Sequence, residues 1–218
     1  MTERSPGTAA GRLGAPVVPI VEEGELHAAV AATTGPFDAG AGIVLRPLTS
    51  ADVDAVTTWR SLPEVARYTS RPPLDRAATA RFLQERLADP AALWFLVERD
   101  GRPVGEVAGR LTPTKSIVGP THWWECSLAY TLHPDVWGAG VATRAGRAFC
   151  DVMFTHLPVH RMTAVCFAQH GASARVLTKI GFRQEGHASR VVLAWDGTWW
   201  DDLHFALLRE EWTTPSTA

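Results

Sequence analysis

The stretch HPDVWGAGVATRAGRAF, from His133 to Phe149, constrains this chain more than any other. Gly138 and Gly140 stand two apart, behind a segment of strand character and ahead of one with helical spacing. A strand that hands over to a helix must pair in a sheet, and the helix must cover that sheet, so the domain is layered, α/β or α+β. Val141, Ala145, Ala148, Phe149 and Val152 recur at the spacing of one helix face. The glycine loop itself allows two readings. It is a tight turn with solvated arginines, or it is an anion cradle in which the free first-turn N–H groups and the helix dipole face a phosphate. Arg144 and Arg147 lie in the first two turns, where a bare helix disfavours cations, and an anion or solvent facing them accounts for them better. The two common nucleotide fingerprints are absent. A dinucleotide loop needs a third glycine where Thr143 stands, and no Gly-Lys-Ser/Thr occurs.

Along the chain, residues 1–42 are rich in Ala, Gly, Pro and Thr and read as a mobile or partly docked extension, with one short helix in ELHAAVAATTG. From Ile43 to residue 218 the pattern is that of one domain. IVLRPL reads as a strand, and a helix follows with Ser50 as its cap and Val53, Val56 and Trp59 inward. SLPEVARYTSRPPLD is a loop or broken helix, and DRAATARFLQERLAD a helix with Ala78, Phe82 and Leu83 inward. A hairpin turns at Asp100–Gly101, HWWECSLAYTL and HRMTAVCFA are strands, and a helix over 171–180 stops at Gly181. A last hairpin, over 189–208, turns at Asp196–Gly197. The expected order is β-α-α-β-β-β-α-β-α-β-β.

Composition narrows the function classes. A formal net charge of −2 gives no nucleic-acid or anionic-membrane signature, so neither partner is expected. No apolar run reaches membrane-spanning length, and the APVVPIV segment is broken by Pro16 and Pro19, so the expected location is the cytoplasm. The 3 cysteines, Cys126, Cys150 and Cys166, form no CxxC pair and read as buried thiols. His156 and His160 are four apart with Pro158 between them, which argues against a metal pair, and no metal site is expected.

Three stretches together carry a resemblance. WGAGVAT (137–143), QHGASARVLTKIGF (169–182) and WDGTWWDDLHFALLREEW (195–212), in this order and spacing, resemble the GNAT superfamily of acetyl-CoA-dependent N-acetyltransferases. The last points to the branch that acetylates ribosomal-protein N-termini. The resemblance covers about Ile43 to Trp212. It implies a mixed, mostly antiparallel sheet flanked by helices and splayed between its fourth and fifth strands, with acetyl-CoA in the split. Backbone of Trp137, Gly138, Ala139, Gly140, Val141, Ala142 and Thr143 would hold the pyrophosphate. Main chain near Leu128, Tyr130 and Leu132 would pair with the pantetheine arm, and His170 and Ser173 would lie at its thiol end. His170 stands where the family usually has Asn, and its role is a plain contact or a proton transfer. Leu177 stands where many relatives have a Tyr acid, and the resemblance to the ribosomal-protein branch implies Ser173 as the group that serves the sulfur, or that only binds pantetheine.

The chemistry then asks for a neutral amine. A lysine-like amine of pKa ~10.4 is neutral about once in 2,500 at pH 7, a deficit of roughly 4.6 kcal/mol, whereas an α-amine of pKa ~7.7–8.0 lacks only about 1–1.4 kcal/mol. Strand alternation puts Trp123, Glu125, Ser127 and Ala129 on one face. Glu125 is therefore a base candidate, or else an edge carboxylate paired with an arginine, while Glu106, Asp202 and His204 are weaker candidates. With 9 tryptophans in the chain, Trp123 and Trp199 are expected at the acceptor cleft, together with Tyr68 in RYTSRPP. The expected activity is acetyl transfer from acetyl-CoA to a primary amine. The acceptor is a protein N-terminus or a small amine (antibiotic, amino acid or polyamine). A non-catalytic acyl-CoA-binding domain is the rival, and the protein is expected as a monomer or homodimer.

Overall fold

Asp100 and Gly101 both take positive φ, 51° and 75°, the turn that matches the twist of flanking strands and closes β3 (Ala92–Arg99) onto β4 (Arg102–Pro113). This hairpin is the centre of the computed structural model, which describes residues 23–69, 71–117, 119, 121–194 and 196–212. Ser70, Trp195 and the APVVPIV run lie outside those residues. Eight strands form one sheet in the order β1-β2-β3-β4-β5-β6-β8-β7. The others are β1 (Phe37–Gly40), β2 (Ile43–Pro47), β5 (Trp124–Leu132), β6 (Val159–Phe167), β7 (Arg183–Leu193) and β8 (Trp199–Leu208). Every pair is antiparallel except β5 with β6.

That parallel pair is short. Its register runs from Trp124↔Val159 to Ser127↔Thr163 and stops, although β5 continues to Leu132 and β6 to Phe167. The sheet is splayed there, between the fourth and fifth strands when counted from Ile43. β1 precedes that count. It pairs with β2, and α1 (Glu23–Ala32) sends a fully buried Leu26 into the main core.

β3 alternates between two cores, with Leu93, Phe95 and Val97 on one face and Leu96 on the other. The first face is covered by α5 (Val141–His156), whose Val141, Ala145, Ala148, Phe149 and Val152 are all buried as their spacing predicts, and by α6 (Gly171–Ile180). The second is covered by α2 (Val53–Arg60) and α4 (Arg76–Leu87), through Val56, Trp59, Phe82 and Leu83. Gly146 lets α6 lie close on α5, since a Cβ there would meet Ile180 Cδ1 at 2.4 Å. All three cysteines are buried and free.

The structure corrects three local readings. The cap of α2 is Asp52, not Ser50: residues 50–52 form a 3-10 turn capped by Thr49, and the Asp52 carboxylate accepts from Thr49 N at 2.8 Å and Thr49 Oγ at 2.9 Å. The broken helix contains one real turn, α3 (Pro63–Ala66), started by a proline at its first position. β7 begins at Arg183, directly after the Gly181 stop, rather than at Ser189. A kink hid this: the β7 register breaks between Ala188 and Val192, Arg190 takes φ 56°, and its N–H is held by Asp201 Oδ1 at 2.8 Å.

Candidate active site

The splay opens two cavities that meet inside the sheet. One, of about 450 Å³, is lined by Leu132, Trp137, the glycine loop, Val141–Thr143 and the start of α6. The other, of about 380 Å³, is lined by Arg60, Phe82 and Trp94 on the α2/α4 side and by Ala164–Phe167 of β6. Tyr68, Thr69, Tyr130, Thr131, His170 and Ser173 line both. These six residues are the junction.

The first cavity suits an extended anionic ligand. Gly138 and Gly140 have φ of 75° and 78°, a left-handed conformation that side chains disfavour, and no neighbour lies within 4 Å of where a Cβ would stand. Gly140 is the N-cap of α5 and His170 that of α6, and neither gives a side-chain cap bond. By contrast, Asp75 caps α4 through a 2.7 Å bond from Ala78 N. Two uncapped helix starts therefore aim their first-turn N–H groups at one cavity. Not every loop amide is available. Trp137 N donates to Pro134 O at 2.9 Å and Ala139 N to Val136 O at 3.4 Å, and exposed Ala139 does not line the cavity. Trp137 is pinned by its indole, which donates to Leu132 O at 2.9 Å.

The cations differ from those expected. Arg147 does not face the loop; it donates to Lys179 O and Ile180 O at 3.0 and 3.1 Å and so caps the end of α6. Arg144 reaches toward Gly40 of β1. Arg175 and Lys179, one and two turns into α6, line the cavity instead. Spacing alone could have found them, because Arg175 follows Gly171, and Lys179 follows Arg175, by four positions each.

At the junction, Tyr130 Oη lies 2.8 Å from Ser173 Oγ. Burial pushes the Tyr130 hydroxyl up to about 12, so it stays protonated and able to donate. The chain thus has a tyrosine beside Ser173, supplied by β5 rather than by α6. His170 stacks on Tyr68 with centroids 4.0 Å apart and planes at 8°. Burial holds its imidazole below the usual histidine value, so it is neutral at pH 7. Asp202 lines the second cavity, and its Oδ1 is buried without a hydrogen-bond partner among the described residues.

Other expected residues fall elsewhere. Glu125 sits where β5 and β6 are still paired, lines neither cavity and forms a 2.8 Å ion pair with Arg161, which also holds Glu185 at 2.6 Å. That is the edge-carboxylate alternative. Trp123 is with it, 6.3 Å from His160 and under the Arg209 guanidinium. Trp199 is half exposed, while its neighbour Trp200 turns inward against Tyr68 and Phe167 at 5.9 and 5.3 Å. Two adjacent tryptophans on a strand face opposite ways, and the sequence does not say which faces in. Glu106 is buried behind the second cavity, ion-paired with Arg60. His204 is exposed. His156 packs on Phe37, away from His160, and no cluster of three metal-ligating side chains occurs among the described residues.

A sheet opened between parallel strands has two uncapped helix starts facing one cavity and a second cavity beyond the junction, and the family match makes the chain an acyl-CoA-dependent N-acetyltransferase. Residues 43–183 match the family described as acetyltransferase (GNAT) domain, and the chain belongs to that family. It is 25% identical over 170 residues to the uncharacterized N-acetyltransferase YnaD of Bacillus subtilis, covering 78% of this chain and 95% of that one. It is 29% identical over 108 residues to the ribosomal protein uS5 alanine N-acetyltransferase of Escherichia coli, covering 50% of this chain and 54% of that one. The structure of Mycobacterium smegmatis RimJ in complex with CoA-disulfide superposes with a TM-score of 0.67 at 26% identity, covering 83% of this chain and 88% of that one. The enzyme resembles the Rim-type branch, and its acyl donor is acetyl-CoA. The unpaired β5 edge, the uncapped amides and the two cations fit that donor. No helix among the described residues is long and apolar enough to cross a membrane.

Proposed function

We propose that the enzyme transfers the acetyl group directly to a primary amine at the junction of the two cavities. Bound in the first cavity, acetyl-CoA supplies the acetyl thioester. Gly138, Gly140 and the amides of Val141–Thr143 hold its pyrophosphate, with Arg175 and Lys179 alongside. From the first cavity the pantetheine arm runs to the junction along residues 130–132 of β5, and a free N–H there steadies the carbonyl oxygen as charge develops on it, while Leu128 and Ala129 line the second cavity. The amine enters from the second cavity. Its nitrogen forms the new C–N bond, the C–S bond breaks, and the amine proton passes to Asp202 or to neutral His170, directly or through water. The Ser173 hydroxyl, held by Tyr130, donates to the departing sulfur. Glu125 has no part in this.

The observation that carries the reading is the convergence of Tyr130, Ser173 and His170 on both cavities at once. CoA release measured with a panel of primary amines tests it. Turnover with at least one amine, lost together with the Ser173–Tyr130 pair in a Ser173→Ala/Tyr130→Phe double variant that still binds acetyl-CoA, is the expected result. Tight acetyl-CoA binding with no release above hydrolysis across the panel would reduce the protein to a binding domain.

A further inference from the structure

The second cavity holds more positive charge than its own carboxylates answer. Arg60, Arg71 and Arg86 all line it, and all three guanidinium carbons lie around one ring, Phe82, at 4.1, 5.4 and 5.5 Å. Arg60 is only 10% exposed; its Nη2 meets Glu106, but its Nε is buried with no partner among the described residues. Arg86 Nε is likewise buried with no hydrogen-bond partner among the described residues; the carboxylate that its charge acts on, Asp89, is already held by Arg110 at 2.8 Å. Among the described residues, the carboxylate that Arg71 reaches is the outward-lying Glu85, at 3.5 Å, a weak contact. Asp202 is the acidic residue that lines this cavity, and it stands among β6 and β8 residues rather than with Phe82. Guanidinium N–H groups withheld from water and left unpaired are unfavourable unless something accepts from them. The aromatic face of Phe82 offsets only part of that.

Resting on the acetyltransferase reading above, we infer that the acceptor is a small amine carrying an anionic group, a carboxylate or a phosphate, which Arg86 and Arg71 receive with Arg60 behind them. The cavity then has two poles. Asp202 and His170 take the amine end beside Ser173, and the arginines take the anion, for which a planar fork of donors is well matched. A polyamine, cationic at both ends, is disfavoured by the same arginines.

The test uses acceptor pairs with and without the anion, compared at equal concentrations of neutral amine because the anion also shifts the amine pKa: phenylalanine against phenylalaninamide, O-phosphoethanolamine against ethanolamine, with spermidine as the polycation. Initial rates of CoA release give kcat/KM for each. Titration of the CoA-loaded protein with N-acetylphenylalanine and with its amide gives the same preference without turnover. The expected result is a preference of about tenfold to a hundredfold for the anionic member of at least one pair, the range for a charge-assisted hydrogen bond. Arg86→Met and, separately, Arg71→Met should collapse that ratio, and Arg86→Lys should restore part of it, with the acetyl-CoA Kd unmoved. The pair that responds distinguishes carboxylate from phosphate. Equal use of both members in both pairs, a preference for spermidine, or a ratio untouched by either substitution would overturn the inference. If no amine turns over but N-acetylphenylalanine still outbinds its amide, the anion site stands and the catalytic reading fails.

Discussion

Gly140 is the position at which the donor-site assignment can be broken cleanly. It caps α5 with φ 78° and has open space where a Cβ would project. Any side chain there carries backbone strain of about 1–2 kcal/mol but no clash. Gly140→Ala should therefore lower stability by about that amount and weaken CoA binding only slightly. Gly140→Asp adds a carboxylate to the first turn, at the end where the amides point. One negative charge about 4 Å from a phosphate, at an effective dielectric of about 20, is repelled by about 4 kcal/mol, or roughly a thousandfold in Kd. Calorimetric titration with CoA, beside urea unfolding of both variants, separates the two effects. The stabilities should fall together and the affinities should diverge. The divergence should narrow in high salt, which screens exposed charge. Acetyl-pantetheine, which lacks the pyrophosphate, should bind both variants alike. Equal loss of CoA affinity in the two variants would mean that loop shape alone matters. Unchanged affinity in Gly140→Asp would remove the pyrophosphate from this loop.

Three further outcomes follow from the geometry. Glu125→Gln breaks a half-exposed ion pair outside both cavities, so kcat should hold within about twofold and stability fall by at most about 1 kcal/mol, read by rate assay and urea unfolding. His170 is held below the usual value near 6.5, so its neutral form should persist as pH falls through that value and be lost only at lower pH. The acid limb of kcat should lie below pH 6.5 and vanish in His170→Asn; a limb that stays in place in the variant belongs to another group. Arg209 donates to Phe154 O, Leu157 O and Val159 O, tying the last strand to the α5–β6 connection, and Arg209→Ala should destabilise the fold by about 2–4 kcal/mol in urea melts.

How much of this was legible in the sequence depended on which physical signal each residue carried. Helix α5 and its glycine entry were plain, because five apolar residues at helical spacing and a strained cap leave few alternatives. The splay was expected only through family resemblance, since no local pattern says where two parallel strands stop pairing. Ser173 and His170 stand at the start of α6 and line both cavities. Tyr130 was expected as main chain against pantetheine, and its hydroxyl reaching Ser173 depends on a contact between residues 43 positions apart. Glu125, which the sequence left between cleft and edge, and Trp199, expected at the cleft, line neither cavity, and the reason is common: period-two alternation names the two faces of a strand but not which faces a cavity. The arginine cluster was invisible because Arg60, Arg71 and Arg86 come from two helices and the loop between them, and only Phe82 brings them together.

The two cavities share the six junction residues and otherwise have separate linings, and this bears on the order of events in turnover. Neither ligand has to pass through the other's chamber. Acceptor and donor can each load while the other is in place, and each product can leave by its own door. Steady-state rates should then give intersecting double-reciprocal lines rather than parallel ones. Free CoA should compete with acetyl-CoA while leaving the acceptor's entrance open.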